Sequence, residues 1–340
     1  MVKAQAFDLV MSNALSGLSI GASVGGADFD PKEKSEAEIQ RFCQSYMAAL
    51  ARYIGPGIDN PTMGANVGGP EIGYLYGQYK RLTPGASSLG EGFLWGGTPP
   101  NAECTGYGVV YFAEKVMKVK GGSLQGKRCI VTGSGKVALY AAEKLLELGG
   151  IPVVMSDSSG HIYEPEGINA VGLRSILKIK EERGARIGRY IVASTSAKYN
   201  EPGNVFDVPC DVVFLCADTG ELDAKGATAL AALGVKMVVD GAYRPVTREG
   251  LKVLQKHGIV HVPYRGSMLA TTLGSGRALQ KDPLQPGETM DDRVEAKMDQ
   301  VYEEATAISR EFSSRGDLER GCTIAGFLRV ARAMVTHGAV

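Results

Sequence analysis

Residues 128 to 150 constrain the fold of this 340-residue chain more than any other segment. They read RCIVT, then Gly133-Ser134-Gly135-Lys136-Val137-Ala138, then a run continuing to Gly149 and Gly150. The β-branched run predicts a buried strand, and apolar residues spaced i, i+3, i+4 predict a helix that stops at glycine. Between them, the first glycine permits a tight turn and the second lets the backbone approach a pyrophosphate. Ala138 stands where a small residue packs helix on strand. Strand, turn and helix agree, so the segment predicts a dinucleotide-type α/β architecture.

The chain after residue 128 repeats that rhythm. Short apolar runs at 152–156, 190–194, 211–216, 236–240 and 259–263 predict further strands of a parallel sheet buried on both faces. VALYAAEKLLELGG and AKGATALAALG read as crossover helices. The first 108 residues differ: they hold one clear helix, SEAEIQRFCQSYMAALARYI, opening on Ser35 with Glu38 as a capping acid, among Gly/Pro-dense loops. Two long amphipathic stretches, 291–312 and 323–338, close the chain. The expected domains are a partial second domain over 1–108, a Rossmann-like domain over 109–320 and a C-terminal helix over 321–340 that returns to the first.

Composition excludes several partner classes. Thirty-seven Lys+Arg against thirty-seven Asp+Glu leave a formal charge of zero, so no sequence-wide field favours nucleic acid or an anionic membrane. The six cysteines lack CxxC spacing and read as buried thiols in a reducing compartment, cytoplasm or mitochondrial matrix; no leader is visible in the first twenty-five residues. No metal-ligand spacing is present. His161, His257, His261 and His337 read as solvated or capping residues.

The second strand ends in MSDSSG, which places Asp157 about twenty residues beyond the glycines, where a ribose-side acid belongs. Ser156, Ser158 and Ser159, with Lys178, Lys180 and Arg183, suit the extra phosphate of NADP, or else form a polar loop and a solvated helix face. NAD and NADP both remain open, and the glycines would also serve the turn with no nucleotide bound.

Several phrases then become recognisable: GADFDP (26–31), RFCQSYMAALARYIGPGIDNP (41–61), VGGPEIGYLYGQYKRLT (67–83), WGGT (95–98), ECTGYGVVYFAE (103–114), GSGKVALYAAEK, SDSSGHIYEPEGI and TIAGFLRVARAM. Together they resemble hexameric glutamate dehydrogenase of the NADP-linked type, within the Glu/Leu/Phe/Val dehydrogenase superfamily. The resemblance implies a discontinuous substrate domain, a Rossmann-like domain, an active site in the cleft between them and a C-terminal helix crossing back. It also implies reductive amination of 2-oxoglutarate by hydride transfer from a nicotinamide. Gly133, Ser134, Gly135, Lys136, Val137, Asp157, Ser158 and Ala217 are then the candidate cofactor contacts, and Thr105 and Ser275 match positions of the substrate pocket. The chain begins late in the family pattern, which reads as a shortened substrate domain.

The match departs from the family where its chemistry needs particular side chains. In Gly21-Ala22-Ser23-Val24-Gly25-Gly26, Val24 takes the place of the catalytic lysine; Ser12 replaces a lysine that pairs with substrate carboxylate. In Pro61-Thr62-Met63-Gly64-Ala65-Asn66, Gly64 takes the place of the catalytic aspartate. Asn101, Tyr243 and Met268 replace a family arginine and two asparagines. These departures lead to the expectation of a non-catalytic relative, a structural or regulatory subunit that retains NAD or NADP binding and assembles with copies of itself or a larger partner through residues 1–108. The alternative is an active amino acid dehydrogenase whose less charged cleft, with Val24, Gly64, Tyr243 and Met268, takes an apolar oxo or amino acid. A third reading is a nucleotide-sensing regulator of an active paralogue.

Overall fold

The structure, a computed structural model, describes residues 2–338 except 56–57, 60, 62–63, 65–66, 86–100, 183, 204 and 313–315. The WGGT phrase, Arg183, and Thr62, Met63, Ala65 and Asn66 therefore lie outside the described residues. In chain order the first elements are helices α1 (Val2–Ser16), α2 (Glu36–Leu50), α3 (Gly69–Leu82) and α4 (Cys104–Val119). There follow β1 (Arg128–Val131), α5 (Lys136–Glu147), β2 (Ile151–Asp157), β3 (Gly160–Tyr163), α6 (Ala170–Glu181), β4 (Lys198–Asn200), β5 (Val212–Leu215) and α7 (Ala224–Ala232). The last are β6 (Met237–Asp240), α8 (Arg248–Lys256), β7 (Val260–Val262), α9 (Tyr264–Ser267), α10 (Ala270–Leu273), α11 (Gly276–Lys281), α12 (Met290–Glu311) and α13 (Leu318–His337).

One compact unit comprises residues 1–10, 18–101 and 274–285. Its centre is the pair α2 and α3, whose Met47, Tyr76 and Tyr79 form one buried cluster with Ile54 from the segment after α2. The α2 start follows the sequence signal: Ser35 N–H donates to Glu38 Oε2 at 2.8 Å, and Glu38 N–H donates back to Ser35 Oγ at 3.3 Å. The expectation of a single clear helix in the first 108 residues is corrected by α1, α3 and α4. Glycine density concealed α3, which starts at Gly69-Pro70 and is capped by the Glu71 carboxylate accepting Gly68 N–H at 2.8 Å. Helix α4 is buried on most sides, from Cys104 to Val116, and so shows no one-sided apolar stripe.

The other unit comprises residues 11–17, 102–273 and 286–340. Among the described residues it is built on a seven-stranded sheet in the order β4-β3-β2-β1-β5-β6-β7. The five strands from β2 to β7 in that order pair parallel, whereas β2–β3 and β3–β4 pair antiparallel. The central strands are buried, with Ile130, Val153, Val154, Val213, Leu215 and Val238 in one core cluster. Truncating such a residue to alanine removes about 2 to 5 kcal/mol, because the close-packed surroundings relax only in part.

Two expectations for this unit are corrected. The run 190–194 is not a strand: residues Ile187–Val192 form a 3-10 helix, burying Ile187 and Tyr190 three apart and leaving Val192 exposed. Beside β2 the sheet continues instead with the antiparallel strands β3 and β4. The hairpin from β2 into β3 needs Gly160, whose φ of +147° L residues rarely adopt. Helices α12 and α13 form where the amphipathic pattern places them, and α12 buries Val294, Met298, Val301 and Ala305. Arg329 on α13 donates from Nη1 to the carbonyls of Ala14 and Leu15 at 2.8 and 2.9 Å and holds Glu304 of α12 at 2.7 Å.

Candidate functional site

The strand order reverses at β1: the chain runs outward to β2 on one side and to β5 on the other, opening a crevice at the strands' carboxyl ends. The turn between β1 and α5 lies in that crevice. Gly133 has φ +86°, and a Cβ there would meet the Cys216 carbonyl oxygen at 2.8 Å and Ala217 Cα at 3.1 Å. Its N–H donates to Ser156 Oγ at 2.8 Å. The turn is thereby clamped between the ends of β2 and β5. Gly135 is the N-cap of α5, with no side-chain cap, and a Cβ there would meet nothing within 4 Å. Gly133 and Ser134 are buried while Gly135 and Lys136 are exposed, and Ala138 is fully buried under them. A helix N-terminus open above a pinned turn fits a pyrophosphate, which its N–H groups and dipole stabilise. Val137 is half-buried in the first turn of α5, and Ala217 is exposed directly after β5.

Asp157 ends β2, as its spacing from the glycines predicts. Its oxygens are already engaged: Oδ1 accepts Ser159 N–H at 2.9 Å, and Oδ2 accepts Ile187 N–H at 2.7 Å and Lys180 Nζ at 3.2 Å. Burial pushes this carboxyl pKa up, but those hydrogen bonds outweigh it and hold the net value below the usual range. Asp157 therefore shapes the loop, and Ser158, exposed at its tip, shares with it a cavity of about 590 Å³. Lys180 and Arg186 also line that cavity, with Ser159 and Tyr199. Of the sequence-stated cations, Lys180 is brought here, Lys178 lies exposed on α6, and Arg186 was missed because nothing in its spacing marks it.

A second cavity of about 380 Å³ adjoins the turn, lined by Thr132, Ser156, His161, Phe206, Glu221 and Lys225 among others. Glu221 Oε1 accepts Ala217 N–H at 3.2 Å, and burial pushes its carboxyl up to about 7. The reading of the histidines as solvated or capping is corrected at two positions. His161 is only 6% exposed, and His261 pairs with buried Asp240 at 3.0 Å. His257 is the C-cap of α8. All six cysteines are free thiols, five buried and Cys210 half-buried.

The positions matched to substrate chemistry fall as follows. In the unit holding the sheet, Ser12 lies half-buried on α1, and Thr105 on α4 donates its hydroxyl to Thr271 at 3.0 Å. Tyr243 and Tyr264 meet edge-to-face with centroids 5.3 Å apart, just beyond β6 and β7. In the other unit, Val24 is half-buried in a loop, Gly64 forms an isolated bridge to Val67, and Ser275 caps α11 through Ala278 N–H at 3.1 Å. Asn101 N–H there donates to the Gly274 carbonyl at 2.9 Å.

Residues 96–338 match the Glutamate/Leucine/Phenylalanine/Valine dehydrogenase family, and residues 1–81 match the Glu/Leu/Phe/Val dehydrogenase dimerisation domain. An NADP-specific glutamate dehydrogenase of Chlorella sorokiniana is 39% identical over 100% of this chain and 66% of its own length. One of Helicobacter pylori strain J99 is 38% identical over 99% of this chain and 78% of its own length. A crystal structure of Plasmodium falciparum glutamate dehydrogenase superposes with a TM-score of 0.91 at 35% identity, covering 100% of this chain and 74% of that one. These relatives overturn the expectation of a non-catalytic subunit, because chains similar to this one from end to end are named as enzymes. At Ser12, Val24 and Gly64 particular proton and carboxylate partners of the family are missing, which is not by itself loss of a reaction.

Proposed function

Because the chain belongs to the Glu/Leu/Phe/Val dehydrogenase family, we propose that it is an active NADP(H)-dependent amino acid dehydrogenase whose substrate carries a less polar side chain than glutamate. The observation that carries the reading is the nucleotide turn. Gly133 is pinned against Cys216 and Ala217, and Gly135 leaves the α5 N-terminus open to an anion. When bound, NADP(H) supplies the hydride chemistry. Lys180 and Arg186, with the Ser158 and Ser159 hydroxyls, would hold the extra phosphate that distinguishes it from NAD(H).

The departures from the family then act on substrate choice and on the source of protons. Tyr243 and Tyr264 present an aromatic wall beyond the carboxyl ends of β6 and β7, the half of a dinucleotide fold that faces the reacting ring. Valine at 24 and glycine at 64 remove charge from the loops that hold them, which favours an apolar substrate side chain. Neither residue transfers a proton, so protons at the substrate nitrogen and oxygen come from water or a neighbouring group, and turnover is slower than with a dedicated acid and base. Residues 1–108 supply the substrate-side and assembly surface. Exposed Phe7, Tyr53 and Ile58 there fit contact with further copies of the chain.

NADPH oxidation with ammonium and a panel of 2-oxo acids tests the proposal. Turnover with 4-methyl-2-oxopentanoate or phenylpyruvate exceeding that with 2-oxoglutarate is expected. No oxidation with any 2-oxo acid, in protein shown to bind NADPH, would overturn it.

A further inference from the structure

Just past the carboxyl end of β6 the chain runs Gly241-Ala242-Tyr243-Arg244-Pro245. Arg244 has φ +46°, a left-handed conformation that only one other non-glycine residue, Glu33, shares among the described residues. A residue with a Cβ stays in such a conformation only where its surroundings fix it. The segment after β5 does so. Thr219 Oγ1 donates to the Tyr243 carbonyl at 2.8 Å, Gly220 N–H to the Arg244 carbonyl at 3.0 Å, and Leu222 N–H to the Pro245 carbonyl at 2.9 Å.

The side chain is oriented as well. Arg244 Nε donates to the Tyr264 hydroxyl at 3.2 Å, and its Cζ lies 5.4 Å from the centroid of the Tyr243 ring. Tyr264 is buried, and its N–H is held by the Asp240 carboxylate. Arg244 itself is exposed. Arg265, the other arginine at this edge of the sheet, is 9% exposed and donates to Thr323 at 3.1 Å. A strained backbone strapped in place, carrying an exposed and oriented cation at a strand's carboxyl end, is the arrangement of a binding group.

We propose that Arg244 is a specificity-determining residue that binds the carboxylate of the reacting 2-oxo or amino acid, an inference that rests on the dehydrogenase reading above. The carbon that gains or loses hydride in such a substrate is bonded directly to its carboxylate. A cation in the half of the fold that faces the reacting ring therefore meets that carboxylate whatever the substrate's side chain. A guanidinium is planar and always charged, and it pairs a carboxylate through charge-assisted hydrogen bonds. Arg244 thus selects the acid, while Tyr243 and Tyr264 beside it act on the side chain.

Calorimetric titration of phenylpyruvate and of its uncharged amide into protein saturated with NADP+ tests this, since the oxidised cofactor has no hydride to give an oxo acid. Wild type is expected to bind the acid about tenfold or more tightly than the amide, the scale of one hydrogen bond to a charged group. Arg244→Asn removes the charge with a residue that tolerates the left-handed backbone, and it should bind both compounds equally with NADP+ affinity unchanged. Arg244→Lys should keep part of the preference. A preference unchanged in Arg244→Asn would overturn this inference alone, as would equal affinity of the wild type for acid and amide. Wild type that holds NADP+ but binds neither compound would overturn both this inference and the substrate reading. If Arg244→Asn fails to fold, Arg244→Lys decides, an undiminished preference overturning the inference.

Discussion

His261 and Asp240 meet across neighbouring parallel strands, with Nε2 3.0 Å from Oδ1, and the second carboxylate oxygen accepts the Tyr264 N–H at 3.2 Å. The pair thus joins the end of β6 to the start of α9. Burial alone would lower the His261 pKa, but Asp240, with Glu319 and Asp317 further off, raises it above the ordinary value. A raised folded-state pKa contributes stability that is complete below the unfolded value of about 6.5 and is lost as pH rises through the folded value. Thermal unfolding at a series of pH values should therefore show this contribution fading as pH rises above about 6.5, and His261→Asn should flatten that part of the profile. Asp240→Ala should cost about 3 to 5 kcal/mol, the scale for breaking a buried ion pair.

The two glycines of the turn should respond differently to substitution. Gly133→Ala meets both a left-handed φ and the Cys216 carbonyl, so it should destabilise the fold by about 1 to 3 kcal/mol and weaken NADPH binding with it. Gly135→Val meets open space and should leave chemical denaturation unchanged while blocking the pyrophosphate. Calorimetry against denaturation curves separates the two effects.

Selection of NADPH over NADH should depend on Lys180 and Arg186. Arg186→Ala is expected to weaken NADPH binding about tenfold or more, with little change for NADH, since a hydrogen bond to a charged group contributes about 1.5 to 3 kcal/mol. Lys180→Ala also releases Asp157, so it should reduce the affinity for both cofactors. Fluorescence titration with each cofactor reads the ratio directly.

Burial raises the Glu221 carboxyl to about 7 while it holds the Ala217 N–H beside the nucleotide turn. An anionic cofactor favours the protonated form, so NADPH affinity should fall as pH rises through about 7. Glu221→Gln should remove this dependence; a pH profile of Kd identical to wild type would show that another group controls it.

Much of the nucleotide-binding unit was legible in the sequence because its signals are local. The RCIVT run, the glycines of the turn, Ala138 and the periodicity of α5, α7, α12 and α13 each report on backbone conformation or one buried face within a few residues, and the structure forms elements at each of them. Asp157 could be placed by counting from the glycines, and Ser35 with Glu38 announced α2. The enzyme reading was misjudged because a handful of side chains, Ser12, Val24 and Gly64, outweighed end-to-end similarity.

The sequence by itself therefore determined the β–turn–α unit, the parallel core strands and the position of the β2 acid, all of which follow from the spacing of neighbours along the chain. Only the tertiary structure decided that β3 and β4 run antiparallel at the sheet edge, that Asp157 uses its oxygens on Ser159, Ile187 and Lys180, and that His161, Arg186 and Glu221 line the cavities beside the turn. It also decided that His261 finds Asp240 twenty-one residues away. The physical reason is that a side chain's burial, charge partner and cavity are set by which strands lie side by side, and residues brought together across strands carry no periodic mark in the chain that encodes them.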